Sequence, residues 1–277
     1  TVVLSPRTAI REETLADRYA ELIRFCGFYE VNKVFYGGAS RSLGFITSGI
    51  AYSYLEHALH EFGLEGKFPI LKLGVTFPLD EPLVKEFSES LDQVFVIEEK
   101  RDFLESQIAT LFTHLYQMGK LKRFIPVWGK QFPYELPGIP STRGLNPSLL
   151  IERLGPLFLK LSQEKFHFST ERIAQELALI RETQAVQVNL PQRTPTFCPG
   201  CPHRDSSSVL LEVKRNFKEA SYMRKRHGRE PVDLLFHGDT GCYTMLMFEP
   251  NSGLMHNYSG MGLGGGRSFS RTGLARF

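Results

Sequence analysis

From Leu43 onward the chain alternates short apolar runs with longer amphipathic stretches. Leu43-Gly44-Phe45-Ile46-Thr47, Pro69-Ile70-Leu71-Lys72-Leu73, Gln93-Val94-Phe95-Val96-Ile97-Glu98-Glu99 and Phe124-Ile125-Pro126-Val127-Trp128 have the length and apolar content of buried strands. Residues from about 51 to 62, 81 to 91 and 103 to 117 read as the helices between them. Strands separated by helices of this length predict a parallel sheet covered on both faces, hence an α/β domain over 43–130. Ligands collect at the carboxyl ends of such strands, which singles out Thr47-Ser48-Gly49, Gly74-Val75-Thr76 and Glu98-Glu99. Their plain alternative is structural, with Ser48-Gly49 capping a helix and Glu98-Glu99 a solvated strand end.

Before this domain, 1–42 carries a helical pattern from Glu13 to Phe25 and is expected to be a connecting segment; lacking an initial methionine, it reads as the interior of a longer polypeptide. Cys26 beside it is expected to be a buried, inert thiol. After it, 131–194 opens with Pro133, Pro137, Pro140 and Pro147 and continues with helical patterns over about 146–161 and 170–183, the composition of a helical linker. Leu190-Pro191 to Thr194-Pro195 then holds the chain extended. The last region, 195–277, predicts a helix over about 206–217, whose Val209, Leu210, Val213 and Phe217 form a core stripe, and a strand Pro231–Phe236.

Composition narrows the class. With 277 residues, 42% hydrophobic and 23% charged, the chain suits a folded protein of about two domains. The net charge of +3 is spread along the chain, so nucleic acid is not an expected partner. No apolar run approaches the roughly 18–20 residues of a membrane span, and no leader opens the chain; a cytoplasmic protein without membrane contact is expected. Four cysteines are too few for a disulfide scaffold.

Three of those cysteines lie in the last region, within glycine-dense turns. Cys198-Pro199-Gly200-Cys201 puts two thiols on one tight turn, an arrangement used by metals, iron–sulfur clusters and redox disulfides alike. Cys242 follows Asp239-Thr240-Gly241, and a fourth ligand would have to be His203 or come from elsewhere. Gly238-Asp239 and the run Gly260 to Gly266 suit a diphosphate held through magnesium and backbone amides, although both are also common turns.

Taken together, Cys198-Pro199-Gly200-Cys201-Pro202-His203-Arg204, Gly238 to Thr244 and Gly260-Met261-Gly262 resemble the start of the thiamine-diphosphate-binding domain of indolepyruvate:ferredoxin oxidoreductases of the α-subunit type. Gly44 to Tyr52, Leu71 to Leu79 and Val96 to Glu99 resemble the transketolase-C-like domain that precedes it in that family. The resemblance implies a transketolase-C-like parallel-sheet domain followed by the N-terminal part of a thiamine-diphosphate-binding α/β domain, incomplete over 195–277. It implies a 2-oxoacid:ferredoxin oxidoreductase that decarboxylates an aryl pyruvate such as indolepyruvate, with CoA as co-substrate and electrons passed to ferredoxin.

It also implies cofactor contacts at His203, Gly241, Cys242, Tyr243, Gly260, Met261 and Gly262, and an iron–sulfur cluster on Cys198, Cys201 and Cys242 without a matching fourth cysteine. Magnesium ligands beyond Gly266, the pyrimidine-binding domain and a ferredoxin-like cysteine run have no match, and Arg267 to Phe277 departs from the family, as a truncation or shifted frame would. The expectation is a fragment inactive alone, its site completed by other domains or a partner subunit. Two alternatives of a different class are a non-catalytic assembly or CoA-binding module, and a small zinc-binding interaction domain on Cys198, Cys201, Cys242 and His203.

Overall fold

The computed structural model describes residues 5–35, 42–164, 168–186, 189–239 and 241–259. It divides into two units, Thr1–Gln187 and Val188–Phe277.

The first unit begins with α1 (Arg7–Glu13) and α2 (Leu15–Phe28), then β1 (Lys33–Phe35) and β2 (Gly44–Ser48). It continues through α3 (Gly49–Glu61), β3 (Ile70–Leu73), α4 (Glu81–Glu89), β4 (Val94–Ile97), α5 (Phe103–Gln117) and β5 (Val127–Trp128). Helices α6 (Pro147–Glu164) and α7 (Glu171–Ala185) complete it. The sheet order is β1-β3-β2-β4-β5. β2 pairs in parallel with β3 (Phe45 opposite Ile70) and with β4 (Phe45 opposite Phe95), and β4 pairs in parallel with β5. The expected α/β architecture with a largely parallel sheet is present.

β4 is apolar throughout, and β2 is apolar up to Thr47, because both faces are covered. Phe45, Phe95 and Ile97 belong to one core with residues of α3, α6 and α7. Ile46, Val94 and Val96 belong to the other, with residues of α4 and α5. The strand period of two assigns neighbouring residues to opposite cores.

Three features differ from expectation. β1 adds an antiparallel edge strand inside the segment 1–42, where three residues are too few to show a pattern. The supposed linker 131–194 supplies α6 and α7, whose Leu154, Phe158, Leu161 and Ile173 are fully buried in the first core. Pro133, Pro137 and Pro140 sit in the loop that leads to α6 and Pro147 starts that helix, so they shape a connection within a domain. Cys26 is 1% exposed, as a buried thiol should be.

The second unit consists of α8 (Pro202–Lys218), α9 (Ala220–His227), β6 (His237–Asp239), a 3-10 helix Cys242–Met247, a short 3-10 turn Ser252–Leu254 and β7 (Asn257–Ser259). β6 and β7 are parallel, with Gly238 opposite Tyr258. Pro231–Phe236, expected as a strand, is irregular and precedes β6. The expected core stripe of α8 is also open: Val209 is 59% exposed, and the only fully buried residue of the helix among those described is Ser207. The core cluster among the described residues here is small: Phe197, Leu246 and Leu254.

Candidate functional site

Phe197 anchors the cysteine motif. Its ring is buried against Leu246 and Leu254, and its carbonyl accepts a hydrogen bond from Arg204 Nη2 at 3.0 Å. The following Cys198-Pro199-Gly200-Cys201 closes a turn in which the Cys201 N–H donates to the Cys198 carbonyl at 3.2 Å. Gly200 takes φ +72°, a left-handed value that a side chain would strain. Cys201 is then extended as the N-cap of α8, and Pro202 occupies the first turn, where a missing N–H costs nothing. This explains why α8 starts four residues before the expected start at about 206.

The second motif begins at the carboxyl end of β6. Gly241 adopts φ 128°, open to glycine, and leads into the 3-10 helix that starts at Cys242. That helix returns the chain to the cysteine turn. Leu246 enters the small core beside Phe197, with Cys201 packed against it, while the rings of His203 and Tyr243 lie 5.2 Å apart. Four residues singled out from the sequence, Cys201, His203, Cys242 and Tyr243, thus occupy two packed elements. Gly260, Met261 and Gly262 lie outside the described residues.

The thiols do not form a metal site by themselves. Cys198 and Cys242 are exposed and Cys201 is half-buried. Among the described residues no three Cys, His, Asp or Glu side chains are arranged to hold a metal ion. The donor set expected for an iron–sulfur cluster, or for zinc with His203, is therefore near one place without being assembled.

A cluster with no sequence signature braces the same unit. Lys214 Nζ donates to the Gly253 carbonyl at 2.8 Å, meets His256 Nε2 at 2.7 Å and lies 3.5 Å from Asp233. His256 Nδ1 accepts the Phe236 N–H at 3.1 Å. The contacts tie α8 to the segment before β6 and the turn before β7. Some forty residues separate Lys214 from His256, so no local motif announces the cluster.

In the first unit, the strand-end residues are engaged structurally. Thr47 Oγ1 donates to the Ile97 carbonyl at 2.7 Å, and Asn32 Oδ1 accepts the N–H groups of Gly74 and Val75. Glu98 is buried, and its carboxylate accepts the N–H groups of Leu104 and Glu105 at the start of α5. Glu98 is therefore a helix cap, whereas its neighbour Glu99 is exposed. Burial holds the Glu105 carboxyl above its usual value, against the opposing effects of the Lys130 N–H and charge. Burial likewise lowers Lys130, against the carboxylates of Glu98, Glu105 and Asp102.

An indolepyruvate oxidoreductase domain matches residues 33–187, more than half of the chain. Indolepyruvate oxidoreductase subunit IorA of Methanothermobacter thermautotrophicus is 30% identical over 249 residues, 89% of this chain and 34% of the relative. The subunit of the same name from Archaeoglobus fulgidus is 26% identical over 258 residues, 91% of this chain and 34% of the relative. That of Thermococcus kodakarensis is 27% identical over 214 residues, 77% and 27% respectively. The chain spans about a third of the length of the curated relatives it matches. No helix among the described residues is long and apolar enough to cross a membrane.

Proposed function

The chain belongs to the indolepyruvate oxidoreductase family, and from that premise we propose that it is part of a cytoplasmic 2-oxoacid oxidoreductase that decarboxylates an aryl pyruvate such as indolepyruvate. In this reading thiamine diphosphate with magnesium is the cofactor, CoA takes the acyl group and ferredoxin accepts the electrons. When bound, thiamine diphosphate supplies the electron sink that decarboxylation of a 2-oxoacid needs.

The observation that supports this reading is the packing of His203 against Tyr243, which brings the cysteine turn and the Gly241-Cys242 turn together beyond a parallel strand pair. Carboxyl ends of parallel strands are where α/β proteins bind ligands. Gly241, with its glycine-only backbone, permits a close backbone approach, and the His203–Tyr243 pair offers an aromatic wall with polar tips. Both Cys242 and Tyr243 are exposed, as a surface facing further segments of a longer subunit would be. Because the thiols are not arranged as a metal site among the described residues, no step is assigned to a cluster on them.

The test is made on the protein that carries this chain, purified from its source with its accompanying subunits. Indolepyruvate should reduce a viologen dye in the presence of CoA, and the activity should fall on thiamine diphosphate depletion and return on its addition. Absence of 2-oxoacid-dependent dye reduction in cofactor-replete protein would overturn the reading. The non-catalytic assembly alternative would then stand.

A further inference from the structure

A second site is carried by the first unit. The loop after β5 folds back over the carboxyl end of that strand, held by the Ile139 N–H on the Gly129 carbonyl at 2.8 Å. Between the continuation of this loop, the first turns of α6 and the end of α7 lies a cavity of about 860 Å³, within the range that holds a nucleotide-sized metabolite. Its wall includes Arg143, Asn146, Ser148, Glu152, Arg153 and Gln184.

The two arginines of this wall make no short hydrogen bond to a carboxylate among the described residues. Arg143, held at φ +65°, makes no hydrogen bond or ion pair with the described residues. The Arg153 side chain is 24% exposed, and its nearest carboxylate, Glu152 Oε1, is 3.8 Å from Nη2, beyond hydrogen-bonding range. The Nε of Arg153, covered by protein atoms, has no acceptor among the described residues. On the same wall, Glu152 Oε2 accepts from Gln184 Nε2 at 3.3 Å. The positive end of α6 opens on the same space, and Asn146 Oδ1 takes up only the N–H of Leu149 there. A guanidinium matches a planar or tetrahedral oxyanion through two parallel hydrogen bonds.

We propose that this cavity binds an oxyanion-bearing small metabolite, a phosphate ester or a carboxylate, with Arg153 and Arg143 on the oxyanion. The site lies at the carboxyl edge of the sheet, near Glu99, whose Oε1 is 3.8 Å from where a Cβ on Gly144 would sit. It is independent of the residues assigned to thiamine diphosphate, so it stands or falls apart from that reading.

The test uses the full chain and three probes: inorganic pyrophosphate, adenosine monophosphate and malonate, each against chloride at matched ionic strength. A probe that binds the folded state raises the melting temperature, and calorimetric titration gives its dissociation constant. Arg153→Gln and, separately, Arg143→Ala should weaken binding roughly tenfold or more, as loss of a charge-assisted hydrogen bond does. Arg143 is in an exposed loop, so its variant tests the site even if Arg153→Gln fails to fold. Binding of the two phosphates alone identifies a phosphate site, and binding of malonate alone a carboxylate site. No stabilisation above chloride, or stabilisation that both variants keep, would overturn the proposal.

Discussion

Glu98 Oε2 accepts the backbone N–H of Leu104 at 2.8 Å, and Oε1 accepts that of Glu105 at 3.0 Å. One buried carboxylate thus satisfies two donors that helix geometry leaves unpaired at the start of α5. Glu98→Ala should destabilise the first unit by about 2 kcal/mol or more, since the donors stay buried and water does not replace the lost acceptor. Glu98→Gln should recover only part of this, because its amide group turns a donor toward a donor. Urea unfolding measures both. A cost below about 0.5 kcal/mol for the alanine variant, the usual scale for surface changes, would refute the capping role.

Glu105, next to this cap, carries a pH dependence. Its folded value is raised, chiefly by burial, so its stabilising contribution is fully present below the unfolded value and is lost as pH rises through the folded one. Glu105→Gln keeps an acceptor for the Lys130 N–H but cannot ionise. The variant should therefore gain stability relative to the parent between about pH 4.5 and pH 7, with the two converging at the acidic end. Melting temperatures across that interval check the sign, and a variant that loses ground toward neutrality contradicts it.

The four thiols should separate by access. Cys198 and Cys242 are exposed, Cys201 is half-buried beside Phe197, and Cys26 is buried in the first unit. A thiol reagent applied to the native chain should modify Cys198 and Cys242 first, Cys201 more slowly and Cys26 only on unfolding. Peptide mapping over time measures the order. Equal rates for Cys26 and Cys198 would contradict the placement of the Cys26 side chain.

What the sequence revealed follows from how local each signal is. β2 and β4 are legible because burial on both faces demands a continuous apolar run, and α5 shows its residues as an uninterrupted amphipathic pattern. β1 is hidden because an edge strand of three residues needs no pattern, only the register that pairs Val34 with Leu71. Glu98 looked solvated because its partners lie in the next helix, and nothing in a pair of glutamates tells which one turns inward. In the candidate site, the glycine and cysteine turns were visible because each is contiguous. The approach of His203 to Tyr243 and the Lys214–His256 contact arise only from folding, across some forty residues each.

Phe158 decides whether the helices within 131–194 are linker or core. Its side chain is fully buried on α6, with ring centroids 5.3 Å from Phe68, 5.8 Å from Phe62 and 6.4 Å from Phe45 of β2. A linker residue would cost little to truncate, whereas removing an aromatic wedged among four others, Phe168 being the fourth, loses transfer energy and leaves a cavity. Phe158→Ala should cost about 3–5 kcal/mol, a large share of the roughly 5–15 kcal/mol that holds a domain together. Phe158→Leu should recover much of that by refilling the space. Because Phe45 belongs to the central strand, the loss should appear as a shift of the whole first-unit transition, with its cooperativity unchanged. If the alanine variant instead unfolds at the parent's midpoint, or melts α6 and α7 in a separate early step while the sheet persists, those helices are an appendage and not part of the core.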